Sequence, residues 1–297
     1  MNPEAPPWLR WAPLLFVLLW STGFIGVRLG TPYAEPFTFL VWRFAIAFAL
    51  LLAVALVTRA PWPRTPRQSL HIAVAGLLVH GAYLSGVFCA VARGIPLGIV
   101  TLIVGLQPVV TALIAGPLLR ERLSPRQWAG IVLGFMGVAL VVAGKLGGAD
   151  RADPLAYAWI FLALAGITLG TLYQKRFLGT MPMLTGGLIQ YAITGIVVLP
   201  AAMLTETMTV QWTPSFVFAL GWLVLVLSVG AIGLLFLMIR HGEASRVASL
   251  FFLTPPVTAV LAFLLFGETL PASALAGLAV SAAGVGLVTR GARMGGP

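Results

Sequence analysis

Charged residues are scarce in this chain, and acids are the scarcest of them. Asp, Glu, Lys and Arg make up 9% of the 297 residues, only 8 residues are acids, and 60% of the chain is hydrophobic. Soluble domains carry about 25% charged residues, so this composition excludes an ordinary soluble enzyme or binding domain. Lipid is the solvent that fits it, since each membrane span takes about 20 mainly apolar residues.

Residues for catalytic and metal chemistry are also few. Cys89 is the only cysteine, which excludes an intrachain disulfide and a cysteine-based zinc site. Neither a Gly-x-Ser-x-Gly nor a His-Glu-x-x-His pattern occurs, and no acid falls in the middle of an apolar run. His80 and Ser85 are close in sequence, but their spacing does not place them on one helix face. An intramembrane enzyme stays an alternative, but we expect no catalytic residues and no metal.

Long apolar runs dominate the rest of the chain, separated by short breaks rich in Pro, Gly and charge. Transmembrane β-strands would show about 10 residues of strict alternation, which these runs do not. They predict an all-α membrane protein with ten transmembrane helices. The runs are 12–29, 37–57, 70–92, 97–118, 126–144, 155–174, 183–204, 215–239, 247–266 and 273–289.

The net charge of +10 raises the question of nucleic-acid binding. The basic residues lie between the apolar runs rather than on one face, so membrane orientation explains them better. If the ten helices alternate in direction, thirteen of the 18 basic residues fall on the side of the N-terminus. Basic residues concentrate in cytoplasmic loops, so we expect both termini in the cytoplasm and the first run to be a retained helix.

The chain repeats itself after 147 residues, without a gap. Between Pro108 and Val141, 14 of 34 positions are identical to the residue 147 positions later, including Glu121 with Glu268. The stretch "WSTGFIGVRLG" takes part, because Ser21 falls on Thr168. This predicts two five-helix repeats, residues 1–147 and 148–297. Five is odd, so the second copy is inverted, an arrangement typical of transporters with a substrate site near the membrane midplane.

Three segments carry a resemblance to a known family: "VWRF", "LQPVVTALIAGPLLRERLSPRQWAGIVLGFMGVALVV" and "LTPPVTAVLAFLLFGETLPASALAGLAVSAAGVGLV". They resemble the tandem EamA repeats of the drug/metabolite transporter superfamily, with "RER" in the first repeat where the family pattern is closer to "GET". Within that superfamily the chain is most similar to the bacterial aromatic amino-acid and paraquat exporters (YddG-type).

The resemblance implies ten helices in a bacterial inner membrane and export of small metabolites or amphipathic compounds without a cofactor. The expected partners are a small-molecule substrate and the lipid bilayer, with no nucleic acid, and a monomer is the expected state. A membrane channel is the other alternative, since a ten-helix inverted repeat alone does not exclude one.

Two prolines stand at matching positions in the repeats. Pro108 and Pro255 lie near the middle of the fourth and ninth runs, where a proline removes a helical hydrogen bond. A packing kink would explain either proline alone, but interrupted helices in matching positions favour a break that lines a transporter's site.

His80 is the one ionisable residue that the runs place close to a bilayer centre. Tyr83 shares its helix face, and an intramembrane ionisable group is a functional candidate, although a hydrogen bond to a neighbouring helix explains it equally well. Histidine changes charge near neutral pH. If transport is coupled to protons, His80 is the candidate.

Three further sets have mainly structural interpretations. Arg28, Arg43, Arg93 and Lys175 lie near run ends and are expected to snorkel to the membrane surface; Lys175 is the best candidate among them for attracting a carboxylate. The small residues of the fifth and tenth runs predict close helix packing. Glu121 and Glu268 stand beside turns, where capping is expected rather than proton transfer.

The remaining polar and aromatic side chains predict the substrate site. They are spread over the first, third, fourth, sixth, eighth and ninth runs, which we expect to enclose a central cavity with the fifth and tenth runs outside it. Such a wall is mostly apolar and aromatic with a few hydrogen-bonding groups, which suits small amphipathic solutes. The predicted substrate-binding residues are Trp20, Ser21, Phe24, His80, Tyr83, Gln107, Pro108, Thr111, Thr168, Tyr173, Ser228, Phe252, Thr254 and Thr258.

Overall fold

The regular elements of the computed structural model are helices. It describes residues 11–119, 124–146, 153–178, 181–231, 234 and 253–294, and within these ranges the only β-type pairing is an isolated bridge between Ala34 and Val210. The elements are α1 Ala12–Gly30, α2 Pro36–Thr58, α3 Pro66–Gly76, π1 Leu77–Ala82, α4 Tyr83–Ala92, α5 Leu97–Val104, α6 Gln107–Leu119, α7 Pro125–Leu146, α8 Pro154–Phe177, α9 Met183–Thr205, α10 Pro214–Gly221, π2 Trp222–Ala231, α11 Thr254–Phe266 and α12 Ala272–Met294; π1 and π2 are π-helical.

The predicted apolar runs are helical wherever the structure describes them, and most boundaries agree within three residues. Three runs are interrupted within the described residues. The run 97–118 is divided into α5 and α6, and the runs 70–92 and 215–239 contain π1 and π2. The later part of the run 215–239 and the start of the run 247–266 lie outside the described residues.

Four of the described helical stretches are long and apolar enough to cross a membrane: Pro36–Thr58, Pro66–Ala92, Pro154–Phe177 and Met183–Thr205. Large apolar side chains are exposed along them, such as Val57 at 84% and Leu204 at 85%. Soluble proteins rarely expose apolar surface of this extent to water. The chain is therefore consistent with a multi-pass membrane protein.

The chain divides into two compact units that differ from the two sequence repeats. The first unit is Met1–Ile25, Ile95–Asp153 and Val226–Pro297, and the second unit is Gly26–Gly94 and Pro154–Leu225. Each unit therefore takes helices from both repeats.

In the first unit, α7 packs against α12 through small residues. A Cβ placed on Gly137 would lie 2.5 Å from the Gly277 carbonyl oxygen, and one on Gly284 would lie 2.6 Å from that of Gly130. The Ser281 hydroxyl donates to the Gly134 carbonyl at 3.0 Å. The prediction of close packing along this ridge is confirmed.

Glu268, also in the first unit, accepts a hydrogen bond from the Leu97 backbone N–H at 3.0 Å. A carboxylate at a helix N-terminus satisfies an N–H that has no partner within the helix, and it interacts favourably with the helix dipole. The predicted capping role is confirmed for Glu268, which caps α5. Glu121 lies outside the described residues.

In the second unit, α2 packs against α9, and a carboxylate fastens one end of the pair. Glu206 follows α9 and accepts bonds from the backbone N–H groups of Phe37 and Thr38, at 2.8 and 2.6 Å, in the first turn of α2. It also accepts the Thr38 hydroxyl at 2.7 Å. Glu35, just before α2, accepts the backbone N–H of Thr207 at 2.7 Å.

Candidate functional site

Two helices change to π-helical geometry at equivalent positions of the two repeats. A shift of 147 residues carries π1, Leu77–Ala82, onto residues within π2, Trp222–Ala231. Short π-helical segments inside α-helices occur frequently at functional sites, because they shift side chains and leave backbone groups with altered partners. The two segments hold predicted site residues, His80 in π1 and Ser228 in π2.

A second interruption precedes Pro108. Helix α5 ends at Val104 and α6 begins at Gln107, and the Val110 N–H donates to the Leu106 carbonyl at 3.0 Å as the new helix starts. Pro108 has no N–H for the Val104 carbonyl. Pro255 stands in the first turn of α11, at the matching position. The break near Pro108 is confirmed, and the contact of either proline with a substrate stays a prediction.

The first unit holds most of the predicted site residues. Ser21, Thr254 and Thr258 are buried, with 0%, 5% and 0% of their surface exposed. Phe24 and Ser228 are buried, and half-buried positions are occupied by Trp20, Gln107, Pro108 and Thr111. A small apolar concavity lies beside Gly105 and Pro255. Phe252 lies outside the described residues.

The second unit holds His80, Tyr83, Thr168 and Tyr173. Tyr83 and Thr168 are buried and His80 is half-buried. Tyr173 instead meets His71, with 2.7 Å between its hydroxyl and His71 Nδ1, and packs with Ile72. His71 lies in α3, before π1, so Tyr173 belongs to a different contact group from His80.

His80 stands in a cluster of aromatic and polar side chains. Its Nε2 lies 3.2 Å from the Gln190 side-chain oxygen; since that oxygen can only accept, Nε2 donates. The Tyr191 ring lies 4.6 Å from the imidazole and 5.9 Å from the Phe44 ring, between centroids. A hydrogen bond to a neighbouring helix and a substrate contact were equally expected for His80, and the structure contains the hydrogen bond.

Arg43 belongs to the same cluster, and the prediction that it snorkels to the surface is wrong. Only 7% of its surface is exposed. Tyr83, Tyr191 and His80 lie within its electrostatic range. Position near the end of an apolar run shows where a side chain begins but not which neighbouring helix covers it. His80 is therefore not the only ionisable residue deep in the protein.

Sequence reasoning also missed Gln190 and Tyr191, although a signal for them was present. A shift of 147 residues places Arg43 on Gln190 and Phe44 on Tyr191. A polar residue followed by an aromatic one therefore recurs at the same point of both repeats. Comparing the repeats for side-chain class as well as for identity would have found the pair.

Seven buried side-chain polar atoms have no hydrogen-bond partner in the described part of the protein. Buried polar groups are rarely left unpaired, and each such group costs about 1–3 kcal/mol. Four of the seven belong to residues that the sequence predicted for the site. The atoms are Ser21 Oγ, Arg43 Nε, Thr168 Oγ1, Gln190 Nε2, Thr194 Oγ1, Thr254 Oγ1 and Thr258 Oγ1.

Known proteins resemble this chain over nearly its whole length. A "Probable amino-acid metabolite efflux pump" of Salmonella typhimurium is 26% identical, covering 92% of this chain and 91% of its own. A "Probable terminal-alkyne amino-acid exporter" of Streptantibioticus cattleyicolor is 29% identical, covering 94% and 93%. The "Uncharacterized inner membrane transporter YedA" of Escherichia coli is 28% identical, covering 92% and 88%.

A solved crystal structure is similar in fold, with a TM-score of 0.64 at 20% identity, covering 98% of this chain and 100% of its own. The sequence pattern of the EamA-like transporter family matches residues 7–143 and again residues 154–290. The family and the names of the relatives indicate a transporter rather than an enzyme, and the double match corresponds to two EamA repeats. The chain belongs to the EamA-like transporter family.

Proposed function

We propose that this protein is a secondary transporter of a bacterial inner membrane that exports small amphipathic metabolites by alternating access. Aromatic and other neutral amino acids are the proposed substrates. The relatives named as an amino-acid metabolite efflux pump and as an amino-acid exporter support this direction and this class of solute.

The observation that carries the proposal is the pairing of interrupted helices across the repeats. The segments π1 and π2 match each other, and Pro255 in the first turn of α11 stands at the position that matches Pro108, which follows the break between α5 and α6. Discontinuous helices in corresponding halves of an inverted repeat supply backbone and side-chain groups to a transported solute. The unpaired hydroxyls of Ser21, Thr168, Thr254 and Thr258 support a polar solute.

The substrate class follows from the side chains near these interruptions. Aromatic rings supply about 0.5–1.5 kcal/mol for each well-placed ring pair, and the site residues predicted from the sequence include the aromatic side chains Trp20, Phe24 and Tyr83. A sugar phosphate would call for several cations on each phosphate. Among the described residues Arg43 is the one cation that is buried. Its charge also disfavours a dication such as paraquat, so we rank neutral amino acids above drug-like cations.

The proposed topology has ten membrane spans with both termini in the cytoplasm. Four described helices of sufficient length and apolarity support it, as does the excess of basic residues on one side. A reporter fused after Arg293 should be active only if it is a type that works in the cytoplasm. Activity of a periplasmic reporter at that point would remove the ten-span arrangement.

Transport in proteoliposomes tests the function. Purified protein should take up labelled phenylalanine with saturation, threonine more slowly and a sugar phosphate slowest of all. Trp20→Ala and Tyr83→Ala should each lower phenylalanine uptake. The proposal fails if the sugar phosphate is the best substrate, or if both substitutions leave phenylalanine uptake unchanged.

The channel alternative predicts a different result in the same vesicles. A carrier shows counterflow, in which unlabelled phenylalanine inside the vesicle accelerates entry of the label. A channel conducts without this effect and does not saturate. Uptake that rises linearly with concentration, with no counterflow, would favour the channel.

A further inference from the structure

Among the described residues, one buried cation of the second unit, Arg43, has no acidic partner. Arg43 is 7% exposed and lies within α2, well past the helix N-terminus. The sequence of this unit contains two acids, Glu35 and Glu206. Both are engaged with backbone N–H groups at the end of the α2–α9 pair, so neither is set against the guanidinium.

An uncompensated buried charge is costly. The effective penalty of desolvation is several kcal/mol for each ion, and it is offset only by an opposite charge in good geometry with further hydrogen bonds. Tyr83 and Tyr191 lie within electrostatic range of Arg43, and neutral phenols provide dipoles but no compensating charge. Within the part of the chain that the structure describes, the guanidinium thus has no anion of the kind that buried arginines usually have.

Three buried polar atoms of α2 and α9 have no partner among the described residues, and their chemistry is matched to an acceptor. Arg43 Nε and Gln190 Nε2 can only donate, and the Thr194 hydroxyl can donate. Gln190 is 4% exposed and Thr194 is 0% exposed. The Gln190 oxygen is already occupied by His80 Nε2, which turns the free amide nitrogen toward other partners.

Helix geometry places the two residues of α9 on one side. Gln190 and Thr194 are one turn apart and therefore share a helix face. Both face π1, because a Cβ on Gly76, the residue before π1, would meet Gln190 at 2.8 Å, and one on Gly81 would lie 3.7 Å from Thr194 Cγ2. The donors therefore border the interrupted helix.

We propose that Arg43, Gln190 and Thr194 bind the carboxylate of the transported solute, with the ring of an aromatic solute against Phe44, His80 and Tyr191. A carboxylate accepts up to about four hydrogen bonds and pairs with a guanidinium through two parallel ones. It would supply both the missing charge and the missing acceptors. The inference rests on the proposed function and adds the chemical group that the site recognises.

Competition experiments separate this from a purely structural arginine. Phenylalanine, phenylalaninamide and 2-phenylethylamine are compared as inhibitors of labelled phenylalanine uptake into proteoliposomes. In the wild type, the two compounds without a carboxylate should bind at least about tenfold more weakly than phenylalanine, as the loss of a charged hydrogen-bond partner predicts.

Arg43→Gln should lower the affinity for phenylalanine and remove its advantage over the amide, whose own affinity should not fall. Arg43→Lys keeps the charge but not the planar fork, and should restore part of the discrimination. Thr194→Val should reduce the discrimination by a smaller factor. Arg64→Gln, at an exposed position outside the helices, is the matched control and should change nothing.

The outcomes separate the two proposals. If the wild type transports no amino acid, the proposed function fails and this inference fails with it. If the wild type binds the amide as tightly as phenylalanine, only the carboxylate inference fails. Equal losses for both compounds in Arg43→Gln would assign Arg43 to helix packing and overturn the inference. If Arg43→Gln does not fold, Thr194→Val decides, since unchanged discrimination in that variant overturns it.

Discussion

The two units each contain a helix pair that brings repeat-equivalent residues together, and the two pairs are built in opposite ways. In the α7–α12 pair of the first unit, Ser281 donates to Gly134, the residue 147 positions earlier. In the α2–α9 pair of the second unit, Phe44 stacks on Tyr191, its own equivalent. In the first pair, glycines allow the two backbones to approach closely, and the serine hydroxyl has a hydrogen-bond partner. The second carries large rings and unpaired donors, including Arg43.

This difference shows that one inverted repeat can build its two helix pairs from opposite kinds of side chain, and it fits the proposed division into scaffold and site. Small residues let two backbones approach until no space is left for a solute. The α2–α9 pair instead carries large aromatic and polar side chains, and some of its buried polar atoms have no partner among the described residues. The repeat symmetry determines which equivalent residues contact each other. The volume of their side chains determines how closely the two helices can pack.

The largest expected effect comes from filling the glycine contact. In Gly284→Ala the new methyl group would lie 2.5 Å from the Gly134 backbone nitrogen, so the backbones must separate. We expect a loss of about 3 kcal/mol in the free energy of unfolding, measured in detergent.

Gly286→Ala is the matched control, because a Cβ there meets nothing within 4 Å. If both variants are equally stable, close backbone approach does not hold the α7–α12 pair together.

Glycines of α9 meet α2 only at ordinary van der Waals distance: a Cβ on Gly187 would lie 3.5 Å from Leu51 Cδ1, and one on Gly195 would lie 3.8 Å from Phe44 Cβ. We therefore expect the Glu206 carboxylate at the end of this pair to contribute strongly to its stability.

Glu206→Ala leaves the N–H groups of Phe37 and Thr38 without their acceptor. The free energy of unfolding should fall by about 2 kcal/mol. Glu35→Ala, which breaks exposed bonds to Thr207, should cost about 0.5 kcal/mol. The reverse order in a denaturant titration would contradict this account of the pair.

Ser281→Ala removes the one side-chain hydrogen bond described above between α7 and α12. We expect the free energy of unfolding to fall by about 1 kcal/mol and phenylalanine transport to continue at the wild-type rate. A variant that is stable but does not transport would show that the α7–α12 pair takes part in transport and is not only a scaffold.

Thr258→Val should have the smallest effect on stability. Its hydroxyl is buried without a partner, so an isosteric methyl group should change the free energy of unfolding by less than about 0.5 kcal/mol. If the hydroxyl serves the substrate, the KM for phenylalanine should rise while the folded state is unaffected. Thermal unfolding and uptake kinetics on the same preparation check both halves, and an unchanged KM would remove Thr258 from the site.

The features that could be predicted from the sequence are those with a period or a spacing. Apolar runs gave the helices, the shift of 147 gave the repeat, and glycine spacing gave the α7–α12 contact. The turn beside Glu268 gave its capping role. Each of these features depends on residues close in sequence or on identity between the repeats, so a single amino-acid sequence is enough to predict it.

The features that could not be predicted depend on which helices become neighbours. Nothing in "LLVHGA" marks residues 77–82 as π-helical, since the segment has no proline and continues an apolar run. Arg43 was expected near the surface because its distance from the end of α2 permits snorkelling, whereas its burial is decided by contacts that α9 and π1 supply. The π-helical geometry of residues 77–82 and the burial of Arg43 both depend on packing partners that are distant in sequence.

The interleaving of the repeats has a consequence for synthesis. The second unit needs helices from Gly26–Gly94 and from Pro154–Leu225, so its first part leaves the ribosome well before its second. At about 5–20 residues per second, the delay is on the order of ten seconds. During that time α2 is in the translocation machinery or the lipid with Arg43 on its surface and neither Gln190 nor Tyr191 yet made. The nascent chain must keep this arginine in a hydrated or chaperoned position until α9 arrives, and so the order of translation, as well as the final fold, governs the yield of native protein.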